Sequence, residues 1–308
     1  MGTPALAAHI LERLIAASGA SLRVAGVVTR PDQPRGRRLA MEPSEVGAVA
    51  ARHAIPTLKP VKIRTPEFLS ELRAFEPDLL VVAAYGRILP QSILEVPKVA
   101  PINVHASLLP KYRGAAPIEG AILAGERETG VTIMRIVEQM DAGPMYLCRA
   151  IPIAPEDTQG TLKEKLAELG AQALLEAIEL LMRGELKETP QDDAAATYTS
   201  QIEKKDAVID WSNQASLIER MTRAYDPWPV ARTTLDGEEV LIWRAAVENE
   251  SVGSDAPGTI VTVKPNPIVQ CGIGRLLLIE VQAPGRKRMP AADFFRGKRV
   301  RVGARLGI

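Results

Sequence analysis

Near the middle of the chain, in the run INVHASLLPKYRGAAPI (Ile102–Ile118), Asn103 and His105 stand two positions apart. In a strand, residues at i and i+2 share a face, so an amide and an imidazole at this spacing point the same way. The amide N–H can donate to an oxygen that becomes anionic during acyl transfer, an effect worth about 3 kcal/mol. The imidazole titrates near neutrality and can move a proton or stabilise the same oxygen. Farther on, MDAGP sets Asp141 before a glycine turn, where a carboxylate can orient the imidazole and favour its charged form. With no Ser or Cys nucleophile paired to them, the three residue types suit direct acyl transfer. Taken alone, one histidine on a strand is more often structural, and Asp-Ala-Gly is usually a turn.

The elements that must position these residues are legible in the pattern. Thr3-Pro4 reads as N-cap and first residue of a helix through Ala17, with Leu6, Ile10, Leu14 and Ile15 at helical spacing. Further helices are expected from Pro43-Ser44 to His53, Thr65 to Phe75, Ile118 to Ala124 and Thr158 to Arg183. Apolar, β-branched runs predict strands at Arg23–Thr29, Asp78–Tyr85, Pro101–Ser107 and Val131–Val137. This alternation predicts a doubly wound, Rossmann-like α/β domain over residues 1–183, with Asn103 and His105 at the strand end where such sheets bind ligands. A strand is expected before the first helix of a βαβ fold, yet MGTPALAAHIL opens directly into one. The expectation is that the sequence starts late and lacks that strand.

Residues 184–203 are polar and aperiodic and read as a linker. From 204 to 308 a helix ending near Tyr225 is followed by short strands between Gly, Pro and Asp, the pattern of a small OB-like β-barrel. GIGR (Gly272–Arg275) precedes a strand, so it reads as a hairpin turn and not a phosphate loop.

Composition narrows the classes. Net charge is +1, so an anionic partner must meet local patches. Two distant cysteines, Cys148 and Cys271, make a disulfide framework improbable and fit a reducing cytoplasm. Three histidines without a Cys/His cluster argue against a metal site, and there is no apolar run long enough to span a membrane. Nothing suggests an oligomerisation segment, so a monomer is expected.

The run from Asn103 through Tyr146 resembles the signature of the 10-formyltetrahydrofolate-dependent formyltransferases: Asn-x-His, then Ser-Leu-Leu-Pro, then the downstream Asp. The resemblance implies a formyltransferase domain in which Asn103, His105 and Asp141 are catalytic. It implies folate contacts at Ser107, Leu108, Leu109 and Pro110, and at Tyr85, Gly86 and Ile88 in AYGRILP. TRPDQPRGRRLAMEPSEV, RGAAPI, KKDAVIDWS, RAYDPWPVARTTLDG, PGTI and GRKRMPAADFFRG are similar to the branch of the family that acts on tRNA, so the resemblance covers essentially the whole chain. It implies transfer of the formyl group to the amino group of methionyl initiator tRNA, with 10-formyltetrahydrofolate as donor and no metal. Glu119 and Asp226 depart from the family's usual Gln and Asn.

For tRNA, the resemblance points to Arg35, Arg37 and Arg38 in the basic loop, whose guanidinium groups suit phosphate contacts. The tail, with Arg286, Lys287, Arg288, Arg296, Lys298, Arg299, Arg301 and Arg305 against Asp293, reads as a backbone-binding surface. Trp211, Trp228 and Trp243 are expected in the core or between domains. Competing readings are a formyltransferase acting on a nucleotide sugar or small amine, a formyltetrahydrofolate hydrolase, and a non-catalytic RNA-binding scaffold. The basic loop and tail speak against the first. The hydrolase would carry a different regulatory domain. The intact Asn103, His105 and Asp141 speak against the scaffold.

Overall fold

In the computed structural model, which describes residues 1–35, 40–251 and 253–307, the opening apolar stripe forms helix α1 (Ala5–Ala16) and buries Leu6, Ile10, Leu11 and Leu14. It starts one residue later than expected, with Pro4 as an extended N-cap. The residues before it are drawn into a sheet, where Gly2 bridges Ala83 in parallel. Helix α2 (Glu45–Arg52) is capped by Ser44, whose Oγ accepts from Gly47 N at 2.9 Å. Helix α3 (Pro66–Arg73) is capped by Thr65 and has proline in its first turn, where the missing N–H costs nothing.

Strand β1 (Val27–Val28) pairs in parallel with β2 (Thr57–Leu58). Strand β3 (Leu79–Val82) pairs in parallel with β4 (Ala100–His105), which pairs antiparallel with β5 (Glu128–Arg135), and β5 pairs antiparallel with β6 (Met145–Pro152). The domain is Rossmann-like α/β on its first side, while its far edge is an antiparallel hairpin. The connection after β5 holds a loop, which can return only an antiparallel strand. Helix α4 (Gln159–Met182) covers β4, with Gly170 so close that a Cβ there would meet Val104 Cγ1 at 3.0 Å.

Between the ladders of β1 and β3 stand Met1 and Gly2. Gly2 N donates to Val28 O at 3.0 Å, Ala83 N donates to Met1 O at 3.0 Å, and the Met1 ammonium donates to Val81 O at 2.5 Å. Beyond them lies a cavity of about 620 Å³ lined by Leu14, Val24, Phe75, Leu79, Ile178 and Leu181, among others. Arg23–Gly26, expected as the start of a strand, line this cavity instead of pairing, and β1 shrinks to two residues.

Packing divides the chain into two units. One is Met1–Pro117, Glu128–Pro152 and Lys163–Ser200, and the other is Ile118–Arg127, Ile153–Leu162 and Gln201–Ile308. Most of the polar stretch read as a linker thus folds with the first unit. Asp193–Ala195 is a turn of 3-10 helix, and Tyr198–Thr199 pairs in parallel with Arg113–Gly114. Polar side chains and backbone hold this segment, which is why it has no apolar period.

In the second unit, helix α5 (Ala215–Ala224) precedes β7 (Arg232–Leu235), β8 (Glu238–Asn249), β9 (Ile260–Thr262), β10 (Ile268–Gln270) and β11 (Arg275–Gln282). The antiparallel order is β7-β8-β11-β10-β9. The tail joins the two edges: Leu306 bridges Leu235 and Arg305 bridges Thr259, curling the sheet into the expected OB-like barrel. Its core includes Trp211, Ile218, Val240, Ile242, Leu276, Leu278 and Phe295. Trp211 is buried as expected and donates from Nε1 to Thr233 Oγ1 at 2.9 Å, whereas Trp228 is 53% exposed, contrary to expectation.

Candidate active site

Strand β4 ends at His105, and its period of two sets Asn103 and His105 on one face, as their spacing predicts. His105 is 6% exposed. Its Nε2 lies 3.0 Å from Tyr112 O. A carbonyl only accepts, so Nε2 carries the hydrogen of that bond and Nδ1 is the atom that can gain a proton. Nδ1 faces Asp141 Oδ2 at 3.7 Å, in ion-pair range once protonated. Asn103 Nδ2 donates to Asp141 Oδ1 in a long bond of 3.4 Å.

Asp141 reaches this place from the loop after β5, with a left-handed φ of 49°. Its carboxylate is fixed by Gly114, whose N–H donates to Oδ2 at 2.9 Å. Gly114 has φ +114°, and a Cβ there would lie 2.1 Å from Thr199 O. Only glycine allows both that conformation and that approach. The three residues therefore form one cluster: a carboxylate held by a backbone N–H, an imidazole whose proton-accepting nitrogen faces it, and an amide with a second N–H for an external oxygen.

The Ser107–Pro110 segment is held from within. Thr132 Oγ1 donates to Ser107 O at 2.8 Å and accepts from Leu109 N at 3.1 Å. Ser107 is fully buried and donates to Lys111 O at 2.7 Å, so its hydroxyl shapes the loop. Leu108 lies over Gly130, where a Cβ would meet Leu108 Cδ2 at 2.6 Å. Leu109 is buried, and the Leu109–Pro110 peptide is cis.

In the loop after β3, Tyr85 is buried, its hydroxyl has no hydrogen-bond partner among the described residues, and burial raises its pKa. Gly86 has φ +75° with open space where a Cβ would stand, and Ile88 is 66% exposed. Tyr85 packs in an apolar cluster with Val82, Leu89 and Ile93, so of these three candidates Gly86 and Ile88 are the exposed ones.

The basic candidates are placed unevenly. Arg35 ends a short ribbon, Gln33–Arg35 with Ala40–Glu42. Arg37 and Arg38 lie outside the described residues. Arg286 and Lys287 are exposed on the second unit. Arg288 stacks 3.2 Å over the Trp243 ring and lies 3.7 Å from Asp226 Oδ1, so it anchors its own loop. Arg296 pairs with Asp293 and Lys298 with Glu238, which leaves the tail less one-signed than its sequence reads. Among the described residues there is no group of three His, Cys, Asp or Glu placed to hold a metal ion, and no helix is long and apolar enough to cross a membrane.

Two polar residues of this neighbourhood escaped the sequence reading as individuals. Arg113, fully buried, opens the RGAAPI motif, and a charged residue in a motif is a visible signal. Gln191 lies in the aperiodic polar stretch and gives no signal at all.

Comparison with known proteins gives the family of the chain. Residues 1–178 match the formyl transferase family, and residues 201–299 match the formyl transferase C-terminal domain. A protein of Geobacter sulfurreducens named methionyl-tRNA formyltransferase is 43% identical over 308 residues, covering 100% of this chain and 95% of its own. One of the same name from Roseiflexus is 45% identical over 307 residues, 100% of this chain and 94% of its own. Among solved structures, WlaRD, a sugar 3N-formyl transferase, shares the fold at a TM-score of 0.66 and 19% identity, over 93% of this chain and 97% of its own. HypX of Aquifex aeolicus in complex with tetrahydrofolic acid aligns over 80% of this chain with a TM-score of 0.57 and 23% identity, this chain spanning 43% of its length. With both of its domains matched and relatives 43–45% identical over their full length, the chain belongs to the formyl transferase family.

Proposed function

We propose that this chain transfers the formyl group of 10-formyltetrahydrofolate to the α-amino group of methionyl initiator tRNA. The observation that carries the proposal is the convergence of Asn103, His105 and Asp141 at the end of β4, in a chain whose full-length relatives bear the name methionyl-tRNA formyltransferase. The folate is held by the Ser107–Pro110 segment and by the loop of Tyr85, Gly86 and Ile88. When bound, it supplies a formyl group on an activated nitrogen.

The chain's own residues do the rest. Asn103 directs its second N–H at the formyl oxygen and stabilises the charge that builds there. His105 takes the proton of the attacking amine on Nδ1, because Nε2 already donates to Tyr112 O, and passes it to the folate nitrogen as the bond from that nitrogen to the formyl carbon breaks. Asp141 stabilises the resulting imidazolium across 3.7 Å without itself leaving the Gly114 N–H. Arg35, Arg37, Arg38, Arg286 and Lys287 bind the tRNA, and Arg288 holds the loop that presents the last two. On this proposal the chain works as a monomer in the cytoplasm.

The test is formyl transfer to methionyl-tRNA, with initiator and elongator tRNA side by side. Transfer to the initiator with strong preference is the expected result. Transfer to a nucleotide-linked sugar amine and none to either tRNA would replace the acceptor; formate release without an acceptor would indicate a hydrolase. Arg37→Ala should weaken use of tRNA and leave folate affinity unchanged, and equal damage to both would remove Arg37 from the tRNA surface.

A further inference from the structure

The loop that carries Asp141 is held by one side chain from a distant part of the sequence. Gln191 Nε2 donates to Asp141 O at 2.8 Å and to Gly143 O at 2.7 Å, so both hydrogens of one amide close the loop across its turn. The Gln191 oxygen accepts from Arg113 Nε at 3.1 Å and from Arg113 Nη2 at 2.9 Å. Arg113 is fully buried, and it is fixed in turn by Asp193 Oδ1 at 2.6 Å and the Tyr198 hydroxyl at 3.2 Å. Arg113 directly precedes Gly114, whose N–H holds the Asp141 carboxylate. Backbone and side chain of Asp141 are thus clamped by a single connected unit.

We propose that Gln191, gripped by Arg113, is a positioning residue that holds the Asp141 carboxylate against His105. The inference rests on the proposed roles of His105 and Asp141. Asp141 is in a left-handed conformation that a non-glycine residue keeps only when its surroundings enforce it. The two carbonyls that flank its turn need a donor of two convergent hydrogens, which a primary amide supplies and a carboxylate does not. The guanidinium orients the amide by taking its oxygen, so its nitrogen must face the loop. Without this donor the turn relaxes, the carboxylate leaves Nδ1, and the protonated form of His105 loses its support.

The test is a double-mutant cycle in the full chain with Gln191→Met and Asp141→Asn, read as kcat and KM for both substrates. Gln191→Met should lower kcat about tenfold, with both KM values within about twofold of wild type. In the Asp141→Asn background it should have almost no further effect, because residues acting through one contact are not additive. A tenfold loss that persists unchanged in the Asp141→Asn background, or a loss confined to KM, would reduce Gln191 to a general structural role and overturn the inference. If Gln191→Met does not fold, Gln191→Glu keeps the volume and the Arg113 contacts while removing both donors, and the same cycle applies. Full activity of Asp141→Asn alone would instead strike the underlying catalytic reading, which keeps the two failures apart.

Discussion

Gly114 and Asp141, 27 positions apart, meet at 2.9 Å through a backbone N–H and a carboxylate oxygen. The glycine's φ of +114° and the 2.1 Å approach that a Cβ would make to Thr199 O show that this donor is available only from glycine. Gly114→Ala should therefore do two things at once. It should lower stability by about 1–3 kcal/mol, the cost of an L side chain in such a conformation, and reduce kcat by at least tenfold. Thermal denaturation and steady-state kinetics check this, and a variant with unchanged midpoint and turnover would mean the loop adapts freely.

His105 is the atom-level centre of the proposed chemistry, and its replacement should separate catalysis from folding. His105→Ala should cut kcat by about a hundredfold or more, the usual contribution of a positioned acid–base group. Substrate KM values should stay near wild type. A loss that appears only in KM would assign His105 to binding.

The two cysteines should differ sharply in reactivity. Burial pushes the Cys271 thiol up to about 12, so it stays protonated at neutral pH, while Cys148 is exposed. A maleimide at pH 7.5 should label the folded chain once, at Cys148, and the denatured chain twice. Labelling of Cys271 at the rate of Cys148 under native conditions would show that the barrel core opens readily.

The cavity between β1 and β3 predicts a response to added chain. A fused extended segment of about five apolar, β-branched residues ahead of Met1 should occupy it, since a strand advances about 3.3 Å per residue. Filling it should raise the thermal midpoint, at about 2–4 °C for each kcal/mol gained. An absent gain would show that the segment does not enter the sheet.

Much of this is legible in the sequence itself. The caps at Ser44 and Thr65, the apolar stripe of α1 and the strand at Ala100–His105 follow from local propensity and period, because backbone geometry repeats every 3.6 residues in helices and every two in strands. That period alone put Asn103 and His105 on one face. The resemblance pointed to Asp141, but no periodicity could say that its carboxylate would lie 3.7 Å from Nδ1. That distance depends on a left-handed turn, on the Gly114 N–H, and on Gln191 gripped by a buried Arg113, all joined across tens of residues by hydrogen bonds that leave no periodic trace. The same holds for the segment read as a linker, where polar contacts did the ordering, and for the exposed Trp228, whose placement its residue type does not dictate. Local sequence determined which elements form and which faces they show. Only tertiary packing decided which polar groups meet, because a hydrogen bond between distant residues needs both backbones already in place.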